Sequence, residues 1–184
     1  MQEPHRNWVT LVLGGVRSGK SRFALEIGSR AANVTFVATA RACDEEMLTK
    51  IERHRAERPP HWQTKEAPLA IAEVIGGPDD RNELVVVDCL TLFASNLMEA
   101  HGDDRAAIAS SIDAVCAALR NTRRSIVLVS NEVGGGIVPA YAAGRQFREL
   151  LGEINQQVAA IADQVVLMIA GVPLVIKGSM EGLR

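Results

Sequence analysis

Short apolar runs rich in β-branched residues recur along the chain at residues 8–13, 34–38, 84–87, 126–129 and 164–169. Each is too short for a helix and apolar on both faces, the pattern of strands covered on both sides. Between them lie longer segments with helical spacing, at 20–31, 44–57, 67–75, 90–101, 104–120 and 145–162. Alternation of strand and helix predicts a mainly parallel sheet flanked by helices, a three-layer α/β unit. The run 173–177 follows Ala170-Gly171 too closely for a crossover helix, so it is expected to turn back as an antiparallel C-terminal edge strand. Residues 178–184 read as a loose tail, and Gly76-Gly77-Pro78-Asp79-Asp80 as a surface turn rather than a linker. With no internal repeat, residues 1–184 are expected to form one domain.

The first strand-to-helix junction carries the chemistry. Gly14-Gly15-Val16-Arg17-Ser18-Gly19-Lys20-Ser21 matches G-x-x-x-x-G-K-[ST] in full, directly after a strand and directly before a helix. Glycines let successive backbone N–H groups curl toward one anion, and the new helix adds its positive end. Lys20 is expected to reach the β and γ phosphates of a nucleotide, and Ser21 to hold Mg²⁺ through its hydroxyl. The fold class is therefore a P-loop NTPase of the RecA-like kind. Asp88 ends the run Leu84-Val85-Val86-Val87, which sets a carboxylate at the C-terminal edge of a buried strand. There it can complete the Mg²⁺ shell, or cap the helix starting near Leu90; the two roles are compatible.

Composition narrows the partners. The 184 residues are 47% hydrophobic and 23% charged, enough for one buried core. A formal charge of −2 and a pI near 6.1, with scattered basic residues, give no signal for nucleic acid or an anionic membrane. Cys43, Cys89 and Cys116 are too far apart for a C-x-x-C site and odd in number, which fits a reducing compartment. No apolar stretch approaches the ~18 residues that span a bilayer. A soluble cytoplasmic protein acting on small molecules, or on copies of itself, is expected.

A second segment departs from a plain kinase. Met47, Ile51 and His54 share one helical stripe, so His54 stands where an inward apolar residue is expected, and Pro59-Pro60 stop the helix near Glu57 with Arg55, Arg58 and His61 close by. An imidazole at the mouth of a phosphate site can attack phosphorus; an inward histidine can equally be a satisfied core residue. Ser130-Asn131-Glu132, before the glycines 134–136, sets a carboxamide and a carboxylate at another strand end, where they can orient substrate or simply form a turn. Trp8, Trp62, Phe36 and Phe93 read as packing residues, and Cys89 as a small buried hydrophobe.

Taken together, GGVRSGKSRFA, VATA followed by DEEM, RHRAERPPHW, VVVDCLTLFASN, SNEVGGGIVP, FRELLGEINQ and AGVPLVIK resemble the bifunctional adenosylcobinamide kinase / adenosylcobinamide-phosphate guanylyltransferase family of cobalamin biosynthesis, over nearly the whole chain. The resemblance implies phosphorylation of the aminopropanol hydroxyl of adenosylcobinamide by ATP or GTP. Transfer of GMP from GTP to adenosylcobinamide phosphate would follow. It further implies that His54 carries GMP covalently, that Arg55, Ala56, Glu57, Arg58, Thr39, Glu66 and Asp88 contact nucleotide, and that the chain assembles as a trimer; because a corrin is too large for the pocket of so small a domain, a corrin site shared between subunits is expected. Arg53 stands where some members place a second histidine; if that histidine assists, guanylyl transfer is expected to be lowered here but not lost. A monofunctional small-molecule kinase with a structural His54 is the alternative. A GTPase switch or nucleic-acid motor fits less well: no [NT]-K-x-D guanine-reading motif follows a strand, and no basic stripe tracks a polynucleotide.

Overall fold

The computed structural model describes residues 7–42, 45–77 and 83–179. Residue 44 of the expected second helix, residues 78–80 of the expected turn and the tail beyond 179 lie outside them. The elements run β1 (Val9–Gly14), α1 (Lys20–Gly28), β2 (Asn33–Ala38), α2 (Glu45–Ala56), β3 (Gln63–Glu66), α3 (Ile71–Ile75), β4 (Glu83–Asp88), α4 (Leu90–His101), α5 (Arg105–Asn121), β5 (Ser125–Asn131), α6 (Ala142–Ile161), β6 (Gln164–Ile169) and β7 (Val172–Lys177). They form one seven-stranded sheet in the order β3-β2-β4-β5-β1-β6-β7. β1 through β6 pair in parallel, and β7 returns antiparallel to β6 as the sequence predicts.

The two-residue period of the strands divides the core. Leu11, Val85, Val87, Ile126, Leu128 and Val165 face one side, where α3 to α6 cover them. Val12, Val86, Val127, Val129 and Val166 face the other, under Phe23, Ala24 and Ile27 of α1 and the Trp62 ring. Both faces are thus sealed by apolar side chains, which explains why these strands read as continuous apolar runs rather than alternating ones.

The parallel register sends several chain crossings to one edge. Gly14 lies beside Asn131 and Met168, and Ala38 beside Asp88 and Glu66. Ligands of open α/β sheets sit in that position. No helix among the described residues is long and apolar enough to cross a membrane.

Three features differ from the sequence reading. β3 is a parallel edge strand that no apolar pattern announced: its four residues, Gln63-Thr64-Lys65-Glu66, are all exposed, and main-chain pairing with β2 alone defines it. The helix expected from 67 begins only at Ile71, because Ala67 and Pro68 are taken up by the exit from β3. Most consequential is α2: no described residue of this helix belongs to either buried cluster. Its inward stripe faces the cleft at the sheet edge instead of the core.

A Cβ added to Gly28, at the end of α1, would overlap the six-membered ring of Trp62. Gly28→Ala is expected to displace that indole and lower stability by about 1–3 kcal/mol. The shift of the urea midpoint measures it; an unchanged midpoint contradicts this packing.

Candidate active site

The phosphate loop is shaped by its neighbours. Gly14, at φ 153°, has no room for a side chain, since a Cβ there would meet the Met168 carbonyl oxygen and Ser18 Oγ, each at 2.5 Å. Gly19 caps α1 at φ 98° with no side-chain hydrogen bond, so the first amides of the helix have no side-chain acceptor at the cap. A helix start of this kind, preceded by a curled Gly-rich turn, binds anions. Lys20 is 92% buried, with 8% of its surface exposed, and its Nζ donates to the Gly15 carbonyl at 2.5 Å and lies 3.5 Å from Ser18 Oγ. Burial pulls the Lys20 ammonium below its ordinary 10.5, against the opposing pull of Cys89 and Asp88.

Asp88 ends β4 deep in the same cleft. Burial raises its carboxyl above the ordinary 3.8, opposed by His54, by the hydrogen bond that the Ser21 hydroxyl makes with it, and by Lys20 and Arg58. The cap of α4 is Cys89, without a side-chain hydrogen bond, so the capping reading of Asp88 is not what the structure adopts. The peptide between Asp88 and Cys89 is cis. Burial and the Asp88 charge push the Cys89 thiol up to about 11. The Thr39 hydroxyl donates to the Cys89 carbonyl and accepts from its N–H, both at 2.8 Å.

Across the cleft, Met47, Ile51 and His54 of α2 line a cavity of about 500 Å³ together with Lys20, Ser21 and Asp88. His54 is therefore not sealed in hydrocarbon; its side chain is 41% exposed, and Nδ1 lies 3.9 Å from Glu57 Oε2. Arg58 lines the same cavity with its guanidinium 4.2 Å from the Phe36 ring centroid, while Nε donates to the His54 carbonyl and Nη1 to Thr64 Oγ1, both at 3.0 Å. Arg58 thus braces the end of α2 against β3. Burial and the neighbouring Arg55 lower its pKa, with Asp88 opposing.

Of the residues singled out from the sequence, the structure gathers Val16, Arg17, Ser18, Gly19, Lys20, Ser21, His54, Arg58 and Asp88 around this cavity. Gly14 and Gly15 form the entry to the loop. Arg55, Ala56 and Glu57 are exposed and off the lining; Thr39 is fully buried behind it, and Glu66 is exposed at the end of β3 beside Ala38. Phe36, read as plain packing, turns out to be a cavity wall, and Arg53, read only as a departure from the family pattern, lines the cavity too. Asn131 joins them, its N–H bonded to Thr91 Oγ1 at 2.9 Å and its carbonyl to Asn155 Nδ2 at 3.0 Å. Its position at a strand end was the signal that pointed to it.

The family model for cobinamide kinase / cobinamide phosphate guanyltransferase matches residues 10–176. The bifunctional adenosylcobalamin biosynthesis protein CobU of Escherichia coli K12 is 39% identical over 178 residues, covering 91% of this chain and 98% of the relative. The bifunctional adenosylcobalamin biosynthesis protein CobP of Pseudomonas aeruginosa is 38% identical over 169 residues, covering 91% of this chain and 96% of the relative. Among solved structures, the type III secretion ATPase EscN of enteropathogenic E. coli superposes with a TM-score of 0.53 at 13% identity, over 88% of this chain and 42% of that one, a likeness of fold alone. With a phosphate loop, a strand-end aspartate and a cleft-facing histidine helix in one continuous match, the chain belongs to the cobinamide kinase / cobinamide phosphate guanyltransferase family.

Proposed function

We propose that this chain phosphorylates adenosylcobinamide with ATP or GTP, and then transfers GMP from GTP to adenosylcobinamide phosphate by way of His54, giving adenosylcobinamide-GDP. The observation that carries the reading is the shared cavity: the His54 imidazole and the Lys20–Ser21–Asp88 cluster line one space of about 500 Å³. A triphosphate cradled by the loop amides would present its α-phosphorus toward the α2 wall. Glu57 Oε2, at 3.9 Å from Nδ1, favours the proton on that nitrogen and leaves the lone pair on Nε2. Nε2 forms a bond to the α-phosphorus, the bridging P–O bond breaks, and pyrophosphate leaves. A phosphate oxygen of the acceptor then attacks the same phosphorus and the P–N bond breaks, restoring the imidazole. Lys20, Arg53 and Arg58 line the cavity as cations, positioned to offset charge that builds on the phosphoryl oxygens.

The Ser21 hydroxyl bonded to the Asp88 carboxylate is a pair of hard oxygen donors, and no group of three or more His, Cys, Asp or Glu that could hold a metal ion occurs among the described residues. Such a sparse oxygen set suits Mg²⁺, which keeps waters and substrate phosphate oxygens as its other ligands. When bound, Mg²⁺ would neutralise phosphate charge; Ser21 and Asp88 would hold it. In this reading Glu66 and the Arg55-Ala56-Glu57 run contact nucleotide only after α2 or the edge of β3 closes on it, while Thr39, buried behind the lining, acts through its bonds to the Cys89 main chain. The exposed apolar side chains Val172, Leu174 and Ile176, at every second position of the edge strand β7, support a self-associated form, a trimer by resemblance. The cytoplasm is the compartment in which we place this activity.

Incubation with GTP and Mg²⁺ followed by peptide mass spectrometry is expected to find an acid-labile GMP adduct on His54, absent in His54→Ala, which keeps kinase activity. An adduct elsewhere, or none, overturns the histidine assignment. Because the Asp88 carboxyl is raised above 3.8, the native chain retains its proton where the unfolded chain has lost it, so stability falls as pH rises through that window. Asp88→Asn is therefore expected to remove this fall in stability across the window while both transfers slow by about 10²-fold or more; an unchanged pH dependence of the melting temperature contradicts the raised carboxyl. Sedimentation velocity should find an oligomer, and a fully active monomer would speak against a site completed by a second subunit.

A further inference from the structure

The phosphate loop has two sides. Its Val16–Ser18 stretch walls the cavity that holds His54, and the same stretch, with Gly15, walls a second cavity of about 390 Å³ bounded by the end of β6 and the loop after β5. Gly15 lines only the second one. We propose that this second cavity seats the acceptor alcohol during phosphorylation, and that Glu132 takes the proton from its hydroxyl. The inference rests on the reading of the chain as a kinase and adds to it the acceptor site and the base.

Four observations carry it. First, Val16, Arg17 and Ser18 line both spaces, so the loop that would hold the phosphates is the wall the two cavities share, and a nucleotide on the His54 side would leave the second cavity free for an acceptor. Second, the cavities contain few carboxylates: Asp88 is the acid on the first lining and Glu132 the acid on the second. Asp88 is engaged by the Ser21 hydroxyl and, on the proposed function, is committed with it to holding Mg²⁺. Glu132 is exposed, so a proton it accepts can pass on to water.

Third, Glu132 is fixed relative to the phosphate site. Its N–H donates to the Gly14 carbonyl at 3.1 Å, and its Oε1 accepts from the Gly134 N–H at 2.5 Å. The Arg148 guanidinium in turn donates to the Gly134 carbonyl, which ties the loop to α6. One carboxylate oxygen thus secures the turn while the group still lines the cavity. Fourth, the surroundings are open and apolar. A Cβ added at Gly15 or Gly135 would meet nothing within 4 Å, and Val16 and Ile169 on the lining are 84% and 55% exposed, with Ile137 just beyond Gly136 at 97%. A hydroxyl carried on a bulky molecule with an apolar face is the class of acceptor that such a mouth admits.

In the step, the hydroxyl oxygen forms a bond to the terminal phosphorus, and the bond from that phosphorus to the bridging oxygen breaks. The electron pair leaves with the nucleoside diphosphate, and the hydroxyl proton goes to Glu132.

The full chain is assayed with ATP and adenosylcobinamide, and separately labelled with GTP alone, a reaction that needs no acceptor. Glu132→Gln keeps an oxygen for the Gly134 N–H, so the turn is retained. Its phosphorylation rate is expected to fall about 10²-fold or more, with KM for ATP and GMP labelling within a factor of about two of wild type. Gly135→Leu, which adds a bulky side chain to the cavity lining, is expected to raise KM for adenosylcobinamide by about tenfold or more with labelling unchanged. Phosphorylation by Glu132→Gln near the wild-type rate, labelling that falls in parallel, or an unmoved KM in Gly135→Leu overturns the proposal. A wild-type chain that neither phosphorylates nor labels overturns the kinase reading itself, which these variants leave as a separate question.

Discussion

The ammonium of Lys20, folded onto the Gly15 carbonyl inside a nearly closed turn, is the contact on which the rest of the cleft depends. A buried cation is costly unless anions or dipoles face it. Here Asp88 and the loop carbonyl supply that field, and a bound triphosphate would supply more. Gly14 can make the turn only because it lacks a Cβ, with the Met168 carbonyl and Ser18 Oγ closing in on both sides. Strand, loop and helix are therefore locked into one geometry, and Asp88 and Asn131 reach the same cavity because β4 ends at Asp88 opposite Val129 and β5 runs on to Asn131 beside Gly14.

Much of this was legible in the residues. Leu84 to Val87 and Ile126 to Val129 announce buried strands because both their faces are covered, and the loop from Gly14 to Ser21 announces its own chemistry through spacing. β3 was not legible: Gln63 to Glu66 are polar on both sides, and only main-chain bonds to β2 make them a strand. The stripe of Met47, Ile51 and His54 was visible, but periodicity says only that a face is turned inward. Whether inward means core or cleft depends on tertiary placement, and α2 rides over the cleft rather than the sheet. Arg53 illustrates the same limit. As a letter in a motif it is a substitution; in space it is a cation on the cavity wall.

On the function and acceptor site proposed above, the loop's two accessible sides would divide the labour. A nucleotide held once would be attacked at its α-phosphorus from the α2 wall, or at its terminal phosphorus from the β5–β6 side, without being rebound in a different cradle. The two proposed group transfers would then share the amides and cations that stabilise phosphoryl charge and differ only in the nucleophile. The raised Asp88 carboxyl and the lowered Lys20 ammonium both follow first from burial, which disfavours the charged form of each group.

The central claim is that one triphosphate spans the loop amides and the histidine helix. A crystal structure with a GTP analogue carrying a methylene between its α and β phosphorus atoms, which cannot transfer GMP, tests it directly. The account predicts the phosphates on the turn from Gly14 to Ser21 and the α-phosphorus about 3–3.5 Å from an imidazole nitrogen of His54. Phosphates bound away from that turn, or an α-phosphorus facing any wall other than α2, would contradict it.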